Sequence, residues 1–124
     1  MSTRGRIERV EDILDAIGEI DAFIAGMEPE TFRLDFKTVR AVELNLIIIG
    51  EAASRVPNDI QEAHSDIPWP FMKAMGNRLV HAYFNVDPQI LWDTVQDDLS
   101  PLRAALQQLV ASPSESTEPQ ANGL

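Results

Sequence analysis

From Arg6 onward the apolar residues Ile7, Val10, Ile13, Leu14, Ile17, Ile20 and Ile24 recur at helical spacing, with Glu8, Glu11, Asp12, Asp15, Glu19 and Asp21 between them. The pattern predicts an amphipathic helix with one buried and one solvated face, stopped at Gly26. A second pattern starts after Asp35 and reaches Val56, where Pro57 ends it. Val39, Val42, Leu46, Ile49, Ala53 and Val56 form its stripe, and Leu44, Ile47 and Ile48 lie outside that stripe. A helix apolar nearly all round needs cover on more than one side, at the centre of a bundle or at a subunit interface.

Residues 58 to 68 are broken up by polar positions and end in Pro68-Trp69-Pro70, which predicts a short helical turn, a loop, and a third long helix with Pro70 in its first turn, running to about His81 or Ala82. Asp87-Pro88 is a capping residue followed by proline at the first helical position. From there Ile90, Leu91, Val95, Leu99, Leu102, Leu106 and Leu109 predict a fourth helix, kinked or interrupted at Pro101. No segment shows sustained period-two alternation, so the expected fold is all-α: an antiparallel four-helix-type bundle with a short extra helical turn. Residues 1–111 make one domain, and 112–124, with almost nothing to bury, are expected to form a disordered tail.

Composition narrows the chemistry. Apolar residues make up 44% of the 124, enough to form a single core. Absence of cysteine removes disulfide frameworks, thiolate zinc sites and cysteine nucleophiles. The apolar run Leu46 to Ile49 is far short of a bilayer span, and the first residues lead into a charged pattern without a signal core, so a cytoplasmic protein without membrane contact is expected. Ten Lys+Arg against 20 Asp+Glu give a net charge of -10, which opposes general attraction to nucleic acid; any RNA contact must be local, and DNA is not expected as a partner.

The informative segment is Met75-Gly76-Asn77-Arg78-Leu79-Val80-His81-Ala82-Tyr83-Phe84, which sets Asn, Arg, His and Tyr on an otherwise apolar helix and its exit. Asn77 and Arg78 lie four and three residues before His81 and can share its face. Read from periodicity alone, His81 is a hydrogen-bonded histidine at a helix end and Arg78 pairs with one of the many acids. His64 stands alone without a second histidine at ligand spacing, so no metal site is assigned to it. Trp69 and Trp92 read as core or interface anchors rather than base-stacking platforms, since no basic groove accompanies them.

The order Ile67-Pro68-Trp69, Asn77 through Phe84, Leu91-Trp92 and Asp98-Leu99, with Ile49-Gly50-Glu51-Ala52 upstream, resembles the HepT-like branch of the HEPN superfamily. The resemblance covers almost everything before the tail. It implies a homodimeric all-helical ribonuclease toxin that needs no metal or other cofactor and is neutralised by a minimal nucleotidyltransferase of the MntA type. The family motif is Arg, four residues, His, one residue, Tyr. Laid on this chain it gives His81 and Tyr83, with Tyr83 as the residue to which the partner attaches AMP, and Gly76 at the arginine position.

Metal-free cleavage of RNA requires a base for the ribose 2′-hydroxyl and a fixed cation for the phosphorane. His81 takes the base role, and Arg78 with Asn77 holds the scissile phosphate. Glycine at 76 supplies no charge and costs a helix roughly 1 kcal/mol relative to alanine. With neither packing nor a turn to account for it, Gly76 reads as an inactivating change, one base away from an arginine codon. The chain is then either an impaired endoribonuclease or a catalytically inactive helical partner of a nucleotidyltransferase; a plain adaptor bundle is the third reading. Cleavage by a Gly76→Arg variant separates the first two.

Overall fold

The computed structural model describes residues 3–111, and the expected tail at 112–124 lies outside the described residues. Among the described residues there is no strand. Helix α1 (Thr3–Ile24) ends where Gly26 takes φ +78°, a conformation that favours glycine. Its stripe Ile7, Val10, Ile13, Ile17 and Ile20 is buried, as the spacing predicts. Helix α3 (Phe36–Ser54) is central, lying between α1 and α5 (Trp69–Ala82). Gly50 faces the Met72 carbonyl while Gly76 faces the Ile47 carbonyl, so α3 and α5 run antiparallel, and the Arg6–Asp59 pair sets the start of α1 beside the residues that follow α3, so α1 and α3 do too; α6 (Pro88–Thr94) follows α5.

Helix α2 (Pro29–Leu34) was not anticipated. Proline at its first position, the reciprocal Glu28–Thr31 cap and the burial of Phe32 explain it, and Phe32 docks on α6 with its ring 5.3 Å from that of Trp92. The third long helix begins at Trp69 and so has Pro70 in its first turn, as expected; Trp69 anchors that start, being buried with its Nε1 donating to the His64 carbonyl at 3.1 Å. The α-helical pattern is interrupted, as expected, at Pro101. A π-helical turn (Val95–Leu99) stands just ahead of it and leads into α7 (Ser100–Ala111), with helical dihedrals at Thr94 and Ser100 on either side. Proline lacks an N–H and its ring presses on the carbonyl four residues earlier, here Asp97, so the wider turn sits where the crowding arises.

Helix α4 (Asn58–Ala63) is the expected short turn, and an Arg6–Asp59 ion pair ties it to α1. An Arg103–Asp21 pair joins α7 to α1. No helix among the described residues is long and apolar enough to cross a membrane. On α3, Val39, Val42, Leu46, Ile49 and Ala53 are buried, whereas Leu44 is 57% and Ile48 40% exposed. A single chain therefore leaves the extra apolar side of α3 uncovered.

Candidate functional site

Helix α5 is held by Trp69, Met72, Gly76 and Leu79, which are buried at spacings of three and four. That stripe fixes the opposite face. Asn77, Arg78 and His81 are all exposed, share that face, and end at the C-terminus of the helix, where the backbone carbonyls favour a cation. The chain then makes a single 3₁₀ turn (Tyr83–Asn85) before Asp87 caps α6 through the Gln89 N–H at 2.9 Å. The backbone of Tyr83 opens that turn; its side chain lies outside the described residues.

The ordinary reading of these polar residues is not what the structure shows. Among the described residues, no carboxylate pairs with Arg78, although Arg6, Arg9, Arg40 and Arg103 all pair with acids. His81 likewise takes no described side chain as a partner. Three side chains able to transfer a proton or bind an anion thus stand on one solvent face, in a stretch from Trp69 to Phe84 that carries no carboxylate.

Gly76 requires a correction. It is buried, and a Cβ built on it would lie 2.9 Å from the Gly50 Cα; a Cβ on Gly50 would lie 2.8 Å from the Gly76 Cα and 2.8 Å from the Met72 carbonyl oxygen. Neither glycine has room for a side chain. Packing therefore accounts for Gly76: the backbones of α3 and α5 cross in contact at this pair, and the crossing sets where Asn77, Arg78 and His81 emerge. An arginine introduced at 76 would have to force the two helices apart before it could reach a phosphate.

Sequence reasoning marks Lys73 as a cation in the carboxylate-free window that runs to Tyr83, but it misses Glu43 and the Gln61 contact that places Lys73. Glu43 lies seven residues before Gly50, on the side of α3 turned to α5; its side chain is 4% exposed, Oε1 accepts from Arg40 Nη1 at 3.1 Å, and Oε2 is buried without a hydrogen-bond partner. Lys73, one turn before Asn77, donates from Nζ to Gln61 Oε1 at 3.1 Å. Gln61 is itself pinned, its Nε2 donating to the Val56 carbonyl at 2.9 Å. An acidic residue inside an apolar run was the available signal for Glu43; nothing in the linear order points to the Lys73–Gln61 contact. His64, given no role, caps α4 with Nε2 buried and unpartnered. No group of three or more histidines and carboxylates able to hold a metal occurs among the described residues.

Comparison with known proteins agrees with this picture. The family model described as "Ribonuclease HepT-like" matches residues 13–109. A protein named "Probable ribonuclease HepT" from Thermococcus cleftensis is 42% identical over 106 residues, covering 86% of this chain and 96% of its own. "Putative RNase TTE0752" from Caldanaerobacter subterraneus subsp. tengcongensis is 31% identical over 101 residues, covering 82% and 90%. "Putative RNase MJ0127" from Methanocaldococcus jannaschii is 36% identical over 84 residues, covering 68% and 69%. No solved structure gives a significant match. An all-α bundle with this helix order, a family match spanning both glycines and the whole polar face, and relatives aligned over 69% to 96% of their own length carry one conclusion: the chain belongs to the HepT-like ribonuclease family.

Proposed function

We propose that the chain is a metal-independent endoribonuclease, the toxin of a toxin–antitoxin pair, which works as a homodimer and is neutralised when an MntA-like minimal nucleotidyltransferase attaches AMP to Tyr83. The observation that carries the catalytic part is the shared exposure of Asn77, Arg78 and His81, with no carboxylate paired to Arg78 among the described residues. In this reading His81 takes the proton from a ribose 2′-hydroxyl, the 2′-oxygen attacks the adjacent phosphorus, and the 5′-oxygen leaves with a proton. The products are a 2′,3′-cyclic phosphate and a 5′-hydroxyl. Arg78 and Asn77 hold the phosphate oxygens that gain charge.

The reaction needs a proton acceptor and a proton donor, and this face offers one histidine per chain. A second copy supplies the other as His81 of the partner subunit. Support for pairing comes from the apolar surface flanking the site: Leu44 and Ile48 on α3 and Val80 on α5 are 40% to 57% exposed, more than a lone soluble bundle needs to show. Sedimentation at micromolar concentration should give a dimer for the wild type and a monomer for Leu44→Glu; a wild-type monomer would overturn this part.

AMP on Tyr83, one residue beyond the helix that carries His81, would set a phosphodiester charge beside the catalytic face and repel an RNA phosphate. Incubation with the partner enzyme and ATP should add one AMP per chain, mapped to Tyr83 and absent in Tyr83→Phe. AMP on another residue would remove Tyr83 from the role.

One observation favours a second reading, a catalytically inactive partner of the nucleotidyltransferase: position 76 supplies no guanidinium. Cleavage of RNA by the wild-type chain decides between the two. The Gly76→Arg variant is a sound test only alongside a stability measurement, because the substitution opens a helix crossing as well as adding a charge.

A further inference from the structure

The contact of Gly50 with Gly76 leaves a groove between α3 and α5 whose floor is bare backbone, with a volume of about 280 Å³. Its α5 wall carries Lys73 and Asn77, and its α3 wall carries Glu51 and Ser54. Ile47 and Val80 close the end nearer His81. The walls therefore differ in kind: a cation and an amide on one side, a carboxylate and a hydroxyl on the other, and an apolar end.

Lys73 is placed rather than loosely solvated. Its stem is half-buried and its ammonium is bonded to Gln61, whose amide is fixed in turn by the Ala53 carbonyl of α3 at 3.4 Å and the Val56 carbonyl just beyond that helix at 2.9 Å. Lys73, Asn77 and His81 follow one another at four-residue steps, so they form a line on α5 with about 6 Å of axial rise between neighbours. No carboxylate of α5 interrupts it.

We infer that this groove is a ribonucleotide subsite beside the reacting centre: Lys73 binds the phosphate next to the scissile one, the intervening ribose lies on the Gly50–Gly76 floor, and Glu51 accepts from its hydroxyl. Both glycines line the groove, and the backbone contact they permit is the floor on which the sugar would lie. One ammonium tethered to a neutral amide keeps its charge available to an anion. In a chain of net charge -10, such local cations are what brings an RNA strand to this face against the general field.

The inference rests on the ribonuclease reading, and the test separates the two. Full-length protein carrying His81→Ala is titrated with unmodified hexauridylate, following the amides of Gly50, Ser54 and Gly76 by NMR. Those amides should shift. Lys73→Met should weaken binding about tenfold and reduce the slope of log K against log salt by about 0.7, the share of one single-strand phosphate contact. Lys73→Arg should restore both, which a merely structural loss would not allow. Deoxyribose hexathymidylate should bind more weakly than hexauridylate, because Glu51 has no 2′-hydroxyl to meet. Unchanged affinity and slope in Lys73→Met, or shifts confined to other faces, would overturn the subsite. Groove binding by a wild-type chain that cuts no RNA would leave the subsite standing and remove the ribonuclease reading; cleavage indifferent to Lys73 would do the reverse.

Discussion

Alanine at position 76 should destabilise this protein while alanine at position 18 stabilises it, though both sites are glycines inside long helices. At Gly76 the added carbon would sit 2.9 Å from the Gly50 Cα. Carbon atoms make their best contact at about 3.5–4.0 Å, so α3 and α5 must part by roughly 0.6–1 Å or hold the strain. Overpacking of this kind costs about 1–3 kcal/mol, and the upper half of that range applies because two backbones have no rotamer to turn away. Alanine's better helix propensity returns about 1 kcal/mol. The net is a loss of about 1–2 kcal/mol, or about 3–8 °C in thermal midpoint for a domain of this size. Gly18 lies on the exposed face of α1 with nothing within 4 Å of a Cβ, so only the propensity gain remains there, about 0.5–1 kcal/mol and a rise of about 2–4 °C. Thermal unfolding followed by circular dichroism at 222 nm on the wild type and the two single variants is sufficient. If Gly76→Ala raises the midpoint as Gly18→Ala does, the backbones do not touch and the packing account of Gly76 falls.

Two further expectations follow from the same structure. Arg78→Ala should lower cleavage about a hundredfold, the usual loss when one preorganised donor to the transition state is removed, with the melting temperature unchanged because Arg78 is exposed and pairs with no described carboxylate; full activity in that variant would take Arg78 out of the site. Asp35 caps α3 by accepting the Thr38 N–H at 3.1 Å, and that backbone bond, with the Thr38 hydroxyl next, holds its carboxyl below the ordinary carboxylate range. A depressed folded pKa gives stability that is present above the ordinary value and lost as pH falls towards the folded one, so urea midpoints of wild type and Asp35→Asn should converge as pH drops below about 4; a gap that stays constant would refute the cap's charge contribution.

The four long helices were legible because each carries apolar residues at helical spacing between strong stops. Helix α2 was not, since six residues make too little of a period; its only marks are Pro29 in the first turn and Phe32, whose burial depends on Trp92 sixty residues away. The π turn could not be read at all, because proline announces crowding without saying how the backbone relieves it. At the site, the polar run from Asn77 to Tyr83 stands out from an apolar background, and its family resemblance follows from that run. The meaning of Gly76 was hidden for a definite reason. Its partner, Gly50, lies twenty-six residues earlier, and a glycine explained by a facing helix looks, in one dimension, like a glycine out of place. The extra apolar residues of α3 split in the opposite sense: the sequence asks for cover on a second side, and the single chain leaves Leu44 and Ile48 open.

The central claim is that His81 does the chemistry without metal, and purified full-length protein with a labelled single-stranded RNA tests it. In buffer containing excess chelator the wild type should release fragments ending in 2′,3′-cyclic phosphate, and His81→Ala, equally folded by circular dichroism, should release none. Cleavage that persists in His81→Ala, or that disappears from the wild type when the chelator is added, would contradict the account.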